Sequence, residues 1–472
     1  MQEQHSNIYP WSFSREYPVA ARAAGIYIYD ENGKRYLDGS GGAVAVNIGH
    51  SVPAVIEDIS RVLASLPYVH NSHFRTRVGE ELATLLAGRF PGSSESKVLF
   101  TSGGSEATES AIKVVRQYWL SQKQPRRYKI ISRWHGYHGT TLGALGLSGN
   151  RRRRAPYLDM LPNGYHTAAC FCYHCPLGLE FPACGIACAE ELEQSIVREG
   201  PETVAAVILE PVVGATSGAV PPDGYLQRVR EICDRYDLLL IADEIMTGSG
   251  RTGRYFAVEH WNILPDLILM GKGLSGGYSP LGAVLIAENV WRPLQHASAS
   301  LEHSFTYQCH PPSLAAALSV QQYLVRHDLI EQAARRGEYL ARKLAKLRQN
   351  PFIGDIRGIG LLWTVEFVED SRSRMPYPPK HQISERLFEA SRNCGLIVYP
   401  GKGTLDGIMG DHILIAPPFI IEESEIDFLV ETLNTCIEQV FAALPQARLS
   451  NNTLRDVWKE RSFIVSPEHE GC

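Results

Sequence analysis

Residues 267–277 read Leu-Ile-Leu-Met-Gly-Lys-Gly-Leu-Ser-Gly-Gly, an apolar run that ends in a glycine-flanked Lys272. Upstream, residues 238–244 read Leu-Leu-Leu-Ile-Ala-Asp-Glu, a second apolar run, ending in Asp243. Short apolar runs of this kind are strands buried on both faces. The pattern therefore places one amine and one carboxylate at the mouths of two buried strands. That pairing suits amine chemistry on pyridoxal phosphate. The lysine can form an imine with the cofactor aldehyde, and the carboxylate can keep a pyridine nitrogen protonated so that the ring draws electrons. The glycines beside Lys272 leave room for a ligand to approach the backbone. A chain built for this chemistry also needs a phosphate cup and groups to sandwich the ring.

Working outward, strand and helix signals alternate. Val98-Leu-Phe-Thr, Tyr128-Lys-Ile-Ile-Ser, Val204-Ala-Ala-Val-Ile-Leu and Gly282-Ala-Val-Leu-Ile-Ala read as strands. Tyr225, Val229, Ile232, Cys233 and Tyr236 make one helical stripe. This alternation predicts an α/β fold whose large domain holds a mostly parallel sheet covered by helices. Beyond about position 330 the texture changes to a smaller α+β domain. It comprises a helix carrying Ile330, Ala334, Gly337, Leu340, Leu344 and Leu347, a strand over 361–367, and a last helix carrying Ile426, Leu429, Leu433, Ile437, Val440 and Phe441. A hairpin turning at Glu31-Asn32-Gly33 precedes the large domain and is expected to pack on the small one. The expected division is 1–55 as an N-terminal segment with the small domain, 56–330 as the large domain, 331–447 as the small domain, and 448–472 as a polar tail.

Composition narrows the function. The 472 residues are 44% hydrophobic and 21% charged, which is ordinary for a globular protein and suffices for a large core. A net charge of −5 argues against a nucleic-acid partner. The first residues lack a basic and then apolar leader, and no apolar stretch reaches membrane-spanning length, so a cytoplasmic protein without a membrane partner is expected. Five of the ten cysteines, Cys170, Cys172, Cys175, Cys184 and Cys188, cluster around His174. Their spacing could mimic a zinc ribbon, but the gap between the pairs is short, so an ordinary loop with buried thiols and no metal is the expectation.

The phosphate cup is Thr101-Ser-Gly-Gly-Ser-Glu-Ala, which follows a strand and opens a helix. Gly103, Gly104 and Ser105 would present free N–H groups and the positive helix end to an anion. Taken alone, the run serves equally as a helix N-cap at Ser105, with Glu106 and Glu109 in the first turn. Tyr137, within Arg133-Trp-His-Gly-Tyr-His-Gly, could stack on one face of the ring, or simply belong to a packed aromatic loop. Ile245 points the same way as Asp243 on an extended segment and could press the other face. The order of cup, aromatic, carboxylate and lysine, all at strand ends, favours the cofactor reading.

These motifs resemble those of the class III pyridoxal-phosphate-dependent aminotransferases, of fold type I. The matching runs are Ser102-Gly-Gly-Ser-Glu-Ala, Tyr137-His-Gly, Ile241-Ala-Asp-Glu-Ile, Gly271-Lys-Gly-Leu-Ser-Gly-Gly and Phe305-Thr-Tyr, with Gly49-His50 and Pro417-Pro-Phe near the ends. The resemblance implies pyridoxal 5'-phosphate as cofactor, Lys272 as the Schiff-base lysine, and Asp243 on the ring nitrogen. It also implies Tyr137 on the ring, His138 beside it, and Gly104 and Ser105 on the phosphate. It implies Thr306 on the phosphate of the neighbouring subunit, hence a homodimer with composite active sites. The implied function moves an amino group from a primary amine or ω-amino acid to a keto acid. A racemase or epimerase, a decarboxylating transaminase, and a non-catalytic cofactor-binding protein are the alternatives.

The chain departs from the family where many relatives carry a carboxylate-binding arginine. Here the two relevant runs read Ile413-Leu-Ile-Ala-Pro-Pro and Gly395-Leu-Ile-Val-Tyr-Pro, with no arginine between Tyr399 and Phe419. Tyr399, Lys402 and His412 are candidate substrate contacts, with Glu210 facing the substrate side. A polar surface loop explains the same residues. The run Arg151-Arg-Arg-Arg154 is expected to be a solvated or dimer-facing turn, with a substrate or phosphate contact as the alternative.

Overall fold

A computed structural model describes residues 7–444 other than Trp11, Ser14, Ser94, Asn163 and residues 298–300. The expected tail over 448–472 lies outside the described residues. The central sheet has seven strands, in the spatial order Lys97–Thr101, Gly282–Ile286, Leu267–Met270, Leu239–Asp243, Val204–Leu209, Lys129–Arg133 and Tyr165–Thr167. Gly282–Ile286 runs antiparallel to both its neighbours, and the remaining strands are parallel. The mostly parallel sheet expected from the sequence is thus present.

Both faces of that sheet are covered, and the residue alternation shows how. Val207, Leu209, Leu240, Ala242, Ile268, Met270, Ala283 and Leu285 enter one core. Their strand neighbours Ala206, Ile208, Leu239, Ile241, Leu267, Leu269, Val284 and Ile286 enter another, under the helix Gly104–Ser121. Successive side chains of a strand point to opposite faces, so continuous apolar runs are what a two-sided burial requires. Trp119 on that helix is locked by its Nε1 donating to Ala205 O at 2.8 Å.

Two four-stranded sheets complete the fold. One joins Ala20–Ala24, Tyr27–Asp30 and Arg35–Asp38 to Leu396–Ile397, which pairs in parallel with the Arg35–Asp38 strand. The predicted turn lies between its second and third strands, with Gly33 in the left-handed region at φ +79° and Asp30 Oδ1 accepting from Asn32 N and Lys34 N. The other sheet is antiparallel: Ile353–Ile359, Leu362–Phe367, Asp411–Ile415 and Tyr399–Lys402. One core unites Ile26, Leu37, Ile48 and Val55 with Val365, Leu396, Ile413, Leu429 and Leu433. Buried Arg251 fastens this region to the large sheet. Its guanidinium donates to Val46 O at 2.9 Å, Pro417 O at 2.6 Å and Leu361 O at 3.1 Å. Burial pulls its pKa down to about 9. Among the described residues, no helix is long and apolar enough to cross a membrane.

Candidate active site

The two strands that carry Lys272 and Asp243 are parallel neighbours, with Asp243 registered against Leu269. Both polar residues therefore emerge at the same edge of the sheet. Lys272 adopts a left-handed backbone at φ +44°, a conformation that costs an L-residue roughly 1–2 kcal/mol. Burial is the largest influence on its amine and lowers its pKa from 10.5 to about 8. The charges of Asp243 and Glu210 oppose that shift, while Arg153 and Arg251 add to it.

Asp243 is buried and oriented from two sides. Its Oδ1 accepts from Ile245 N at 3.1 Å, and its Oδ2 lies 2.7 Å from His138 Nδ1. His138 is in turn held by its N–H donating to Ser148 Oγ at 2.9 Å and by its carbonyl accepting from Thr108 Oγ1 at 2.7 Å. Facing a carboxylate, Nδ1 is the nitrogen that carries the proton. Nε2 is buried with no hydrogen-bond partner among the described residues. Glu210 sits behind this pair. Its carboxylate accepts from Tyr137 N at 2.8 Å and Gly214 N at 2.9 Å, so its partners are backbone amides. Burial raises its pKa, against the pull of His138 and those amides.

The cup follows the strand Lys97–Thr101. Gly103 is fully extended at φ 178°, and a Cβ there would meet nothing within 4 Å. Gly104 opens the helix, and no side chain caps its first turn. The Ser105 N-cap reading is therefore corrected: Ser105 lies inside the turn, and its Oγ accepts from Thr140 N at 3.1 Å. The first N–H groups of the helix have no intrahelical acceptor and are free for an anion. A Cβ on Gly104 would sit 2.9 Å from Ile245 Cδ1, so glycine is what lets Ile245 pack over the cup. Tyr137 is partly buried, and the guanidinium of Arg153 lies 4.6 Å from its ring centroid.

The remaining candidates lie at different depths. Tyr399 and Lys402 line a cavity of about 1010 Å³, but Lys402 is ion-paired with Glu385. His412 is buried beneath Gly401, with Nδ1 2.6 Å from Thr404 Oγ1, and does not line that cavity. Burial lowers its pKa to about 4, which keeps the ring neutral. Thr306 is exposed, and its carbonyl accepts from Tyr68 OH at 2.9 Å. The arginine run is a short helix, not a uniformly solvated turn: Arg154 is buried, with Nη1 donating to Gly146 O and Ser148 O, both at 2.7 Å. In the cysteine loop, Cys170 is buried and Cys172 exposed. His174 lies 2.5 Å from the buried Glu366, which also pairs with Arg357 at 2.7 Å. Among the described residues, no His, Cys, Asp or Glu group is arranged to hold a metal.

Sequence reasoning did not find the amide partners of Glu210, the anchoring by Arg251, or the seat of Arg153 on Tyr137. The only local signal for the last was Asn150. Its Oδ1 caps the arginine helix by accepting from Arg153 N at 3.0 Å.

The parts fit pyridoxal phosphate. Free amides behind a glycine suit the phosphate. A buried carboxylate held by His138 suits a protonated pyridine nitrogen. A desolvated amine at the neighbouring strand end suits the aldehyde. The model for aminotransferase class III matches residues 13–437. An uncharacterised aminotransferase, YodT, of Bacillus subtilis (strain 168) is 40% identical, over 90% of this chain and 96% of that protein. An (S)-enantioselective omega-transaminase from Thermomicrobium roseum superposes with a TM-score of 0.86 at 36% identity, covering 92% of this chain and 96% of that one. The omega transaminase from Pseudomonas jessenii in complex with PMP gives 0.87 at 32% identity, covering 93% and 97%.

Proposed function

This chain belongs to the class III aminotransferases, with pyridoxal 5'-phosphate as cofactor, and we propose that Lys272, Asp243 and the residues around them carry the transfer of an amino group from a primary amine or ω-amino acid to a keto acid. The observation that supports these roles best is the buried Lys272 amine, brought to about pH 8 beside a carboxylate that His138 orients. When bound, the cofactor supplies an aldehyde that takes up the amino group and a ring that withdraws electrons.

The protein groups then have separable tasks. Lys272 would hold the cofactor through its aldehyde, and its amine would take up and return the proton of the substrate carbon. Its lowered pKa leaves about half of the amine neutral at pH 8, against under about 1% for an ordinary lysine, so it can accept that proton. Asp243 would keep the ring nitrogen protonated, with His138 fixing the carboxylate's direction. Gly103, Gly104 and Ser105 hold the phosphate through backbone N–H groups and the Ser105 hydroxyl. Tyr137 and Ile245 would press the two faces of the ring and exclude water. Glu210 holds the Tyr137 loop against the strand ends through the Tyr137 and Gly214 amides. Tyr399 and Lys402 line the large cavity together with Asn150 and Arg153.

The assembly we propose is a homodimer in which Thr306 of each subunit serves the other's cofactor phosphate. Exposed Tyr68 and Tyr307 beside Thr306 support it, since such aromatic surface is costly to leave in water. The domain bounds 1–55, 56–330 and 331–447 are part of the same proposal, supported by the core that joins both chain ends. Free thiols at all nine cysteines among the described residues support the cytoplasm as location.

Adding amines to the pyridoxal-phosphate-loaded protein tests the reaction. Loss of the cofactor's visible absorbance with stoichiometric carbonyl release, followed by recovery on adding pyruvate or 2-oxoglutarate, is the expected result. Altered chirality without release would indicate a racemase, and carbon dioxide a decarboxylating enzyme.

A further inference from the structure

The family's familiar arginine positions are empty in this chain, yet a keto acid acceptor brings a carboxylate into the site. We infer that Arg153 is the residue that binds that carboxylate. The inference rests on the aminotransferase reading and adds to it the group that recognises the acidic substrate.

The four arginines of the run Arg151–Arg154 have different fates. Arg154 is buried among backbone carbonyls and is structural. Arg151 lies over Trp134, 5.3 Å from its ring centroid. Arg152 faces the cavity wall, and its backbone N–H donates to Gly407 O at 3.2 Å. Arg153 alone turns over Tyr137, at 4.6 Å. Its guanidinium has no ion pair or hydrogen bond to a described residue.

The position is built rather than incidental. His135 N donates to Gly149 O at 3.2 Å, and Gly149 N donates to Gly136 O at 2.8 Å. The loop bearing Tyr137 and the start of the arginine helix are therefore stitched together. A Cβ on Gly149 would come 2.2 Å from Arg133 O, so only glycine allows this approach. Asn150 then caps the turn through Arg153 N at 3.0 Å. The cavity wall holds Arg153, Ala215, Tyr399 and Lys402 together. Glu385 pairs with Lys402, and Glu389 with Arg15 and Arg392; of the arginines lining this cavity, Arg153 is the one seated on Tyr137.

The seat of Arg153 belongs to the candidate site: the Tyr137 ring lies 4.6 Å from its guanidinium, and the next residue, His138, reaches Asp243 at 2.7 Å. A guanidinium stacked on an aromatic face keeps its N–H edge free, and that edge matches a carboxylate in two parallel bonds. Arg153 thus has an unpaired edge beside Tyr137 and on the wall of the large cavity. A substrate without a carboxylate gains nothing from it.

The test compares two half-reactions of the loaded enzyme: pyruvate with the aminated cofactor, and n-butylamine with the aldehyde cofactor. Charge-assisted bonds to a carboxylate correspond to about ten- to a hundredfold in binding. Arg153→Met is expected to lower kcat/KM for pyruvate by that factor relative to kcat/KM for n-butylamine. Arg153→Lys, which keeps the charge but not the fork, should fall between parent and Arg153→Met. Calorimetric binding of propionate, an unreactive carboxylate, should weaken by the same factor in Arg153→Met. An unchanged ratio with unchanged propionate binding overturns the inference. So does an equal loss with both substrates, which would mean that Arg153 only supports Tyr137. A parent enzyme that transfers no amino group from any donor would instead refute the aminotransferase reading, whatever propionate does.

Discussion

Asp243→Asn separates charge from shape at the centre of the site. The carboxylate makes two contacts, Oδ1 with Ile245 N at 3.1 Å and Oδ2 with His138 Nδ1 at 2.7 Å. Asparagine keeps an oxygen for Ile245 N and places an NH₂ group against His138. The imidazole can answer by moving its proton to Nε2, which has no partner to lose among the described residues. The fold should therefore survive with a loss of about 1 kcal/mol, the value of one ordinary hydrogen bond. What disappears is the negative charge that holds the ring nitrogen protonated. Removing one preorganised electrostatic contact to a reacting system costs about 10²–10³ in rate. The assay is a single-turnover reaction of the loaded protein with excess amine donor, with cofactor content measured beforehand. The expected result is full cofactor content, a melting temperature within a few degrees of the parent, and a rate constant lower by at least about a hundredfold. A rate within threefold of the parent, with cofactor bound, would refute the electron-sink role of Asp243. A collapse of cofactor content would show that Asp243 acts mainly in binding.

Lys272→Ala should retain cofactor through the cup yet lose turnover by more than the roughly 10²–10⁴-fold that a general base alone contributes, measured as carbonyl release. Uptake of pyridoxal phosphate by the unloaded protein should gain rate as pH rises through about 8, because burial depresses the pKa of the free Lys272 amine and the neutral amine is the form that attacks the aldehyde; an uptake rate flat from pH 7 to 9 would contradict this. Thr306→Ala should weaken cofactor retention about ten- to more than a hundredfold, seen by dialysis against buffer. A mixed dimer of Lys272→Ala and Thr306→Ala subunits should keep one tight, active site if the threonine serves the opposite subunit; finding only weakly held cofactor at the active site would place it in its own. Arg251→Met should strand three backbone acceptors, on Val46, Leu361 and Pro417, and lower stability by about 3 kcal/mol in calorimetry of the loaded protein.

The strand ends of Lys272 and Asp243 were legible in the sequence because their signal is local. A short apolar run bounded by glycine or polar residues fits a strand covered on both faces, and the polar residue that ends it then emerges at the sheet edge. The glycines of the cup were legible for the same reason, although chain order alone did not tell an N-cap from an anion site. Tertiary structure decided the rest. Ser105 proved to be inside the helix because Gly103 leaves the strand fully extended and the helix begins one residue earlier. His412 and Lys402 looked alike as polar loop residues, but His412 lies on an inner strand paired with Leu362–Phe367 and is buried, whereas Lys402 lies on the edge strand Tyr399–Lys402 and pairs with Glu385 at the cavity. Arg153 and Arg154 are adjacent and chemically identical, yet one reaches the Tyr137 ring and the other three backbone carbonyls. A local pattern fixes which face of an element is apolar. It cannot fix what a long polar side chain will meet, because that partner comes from a distant segment placed only when the cores pack.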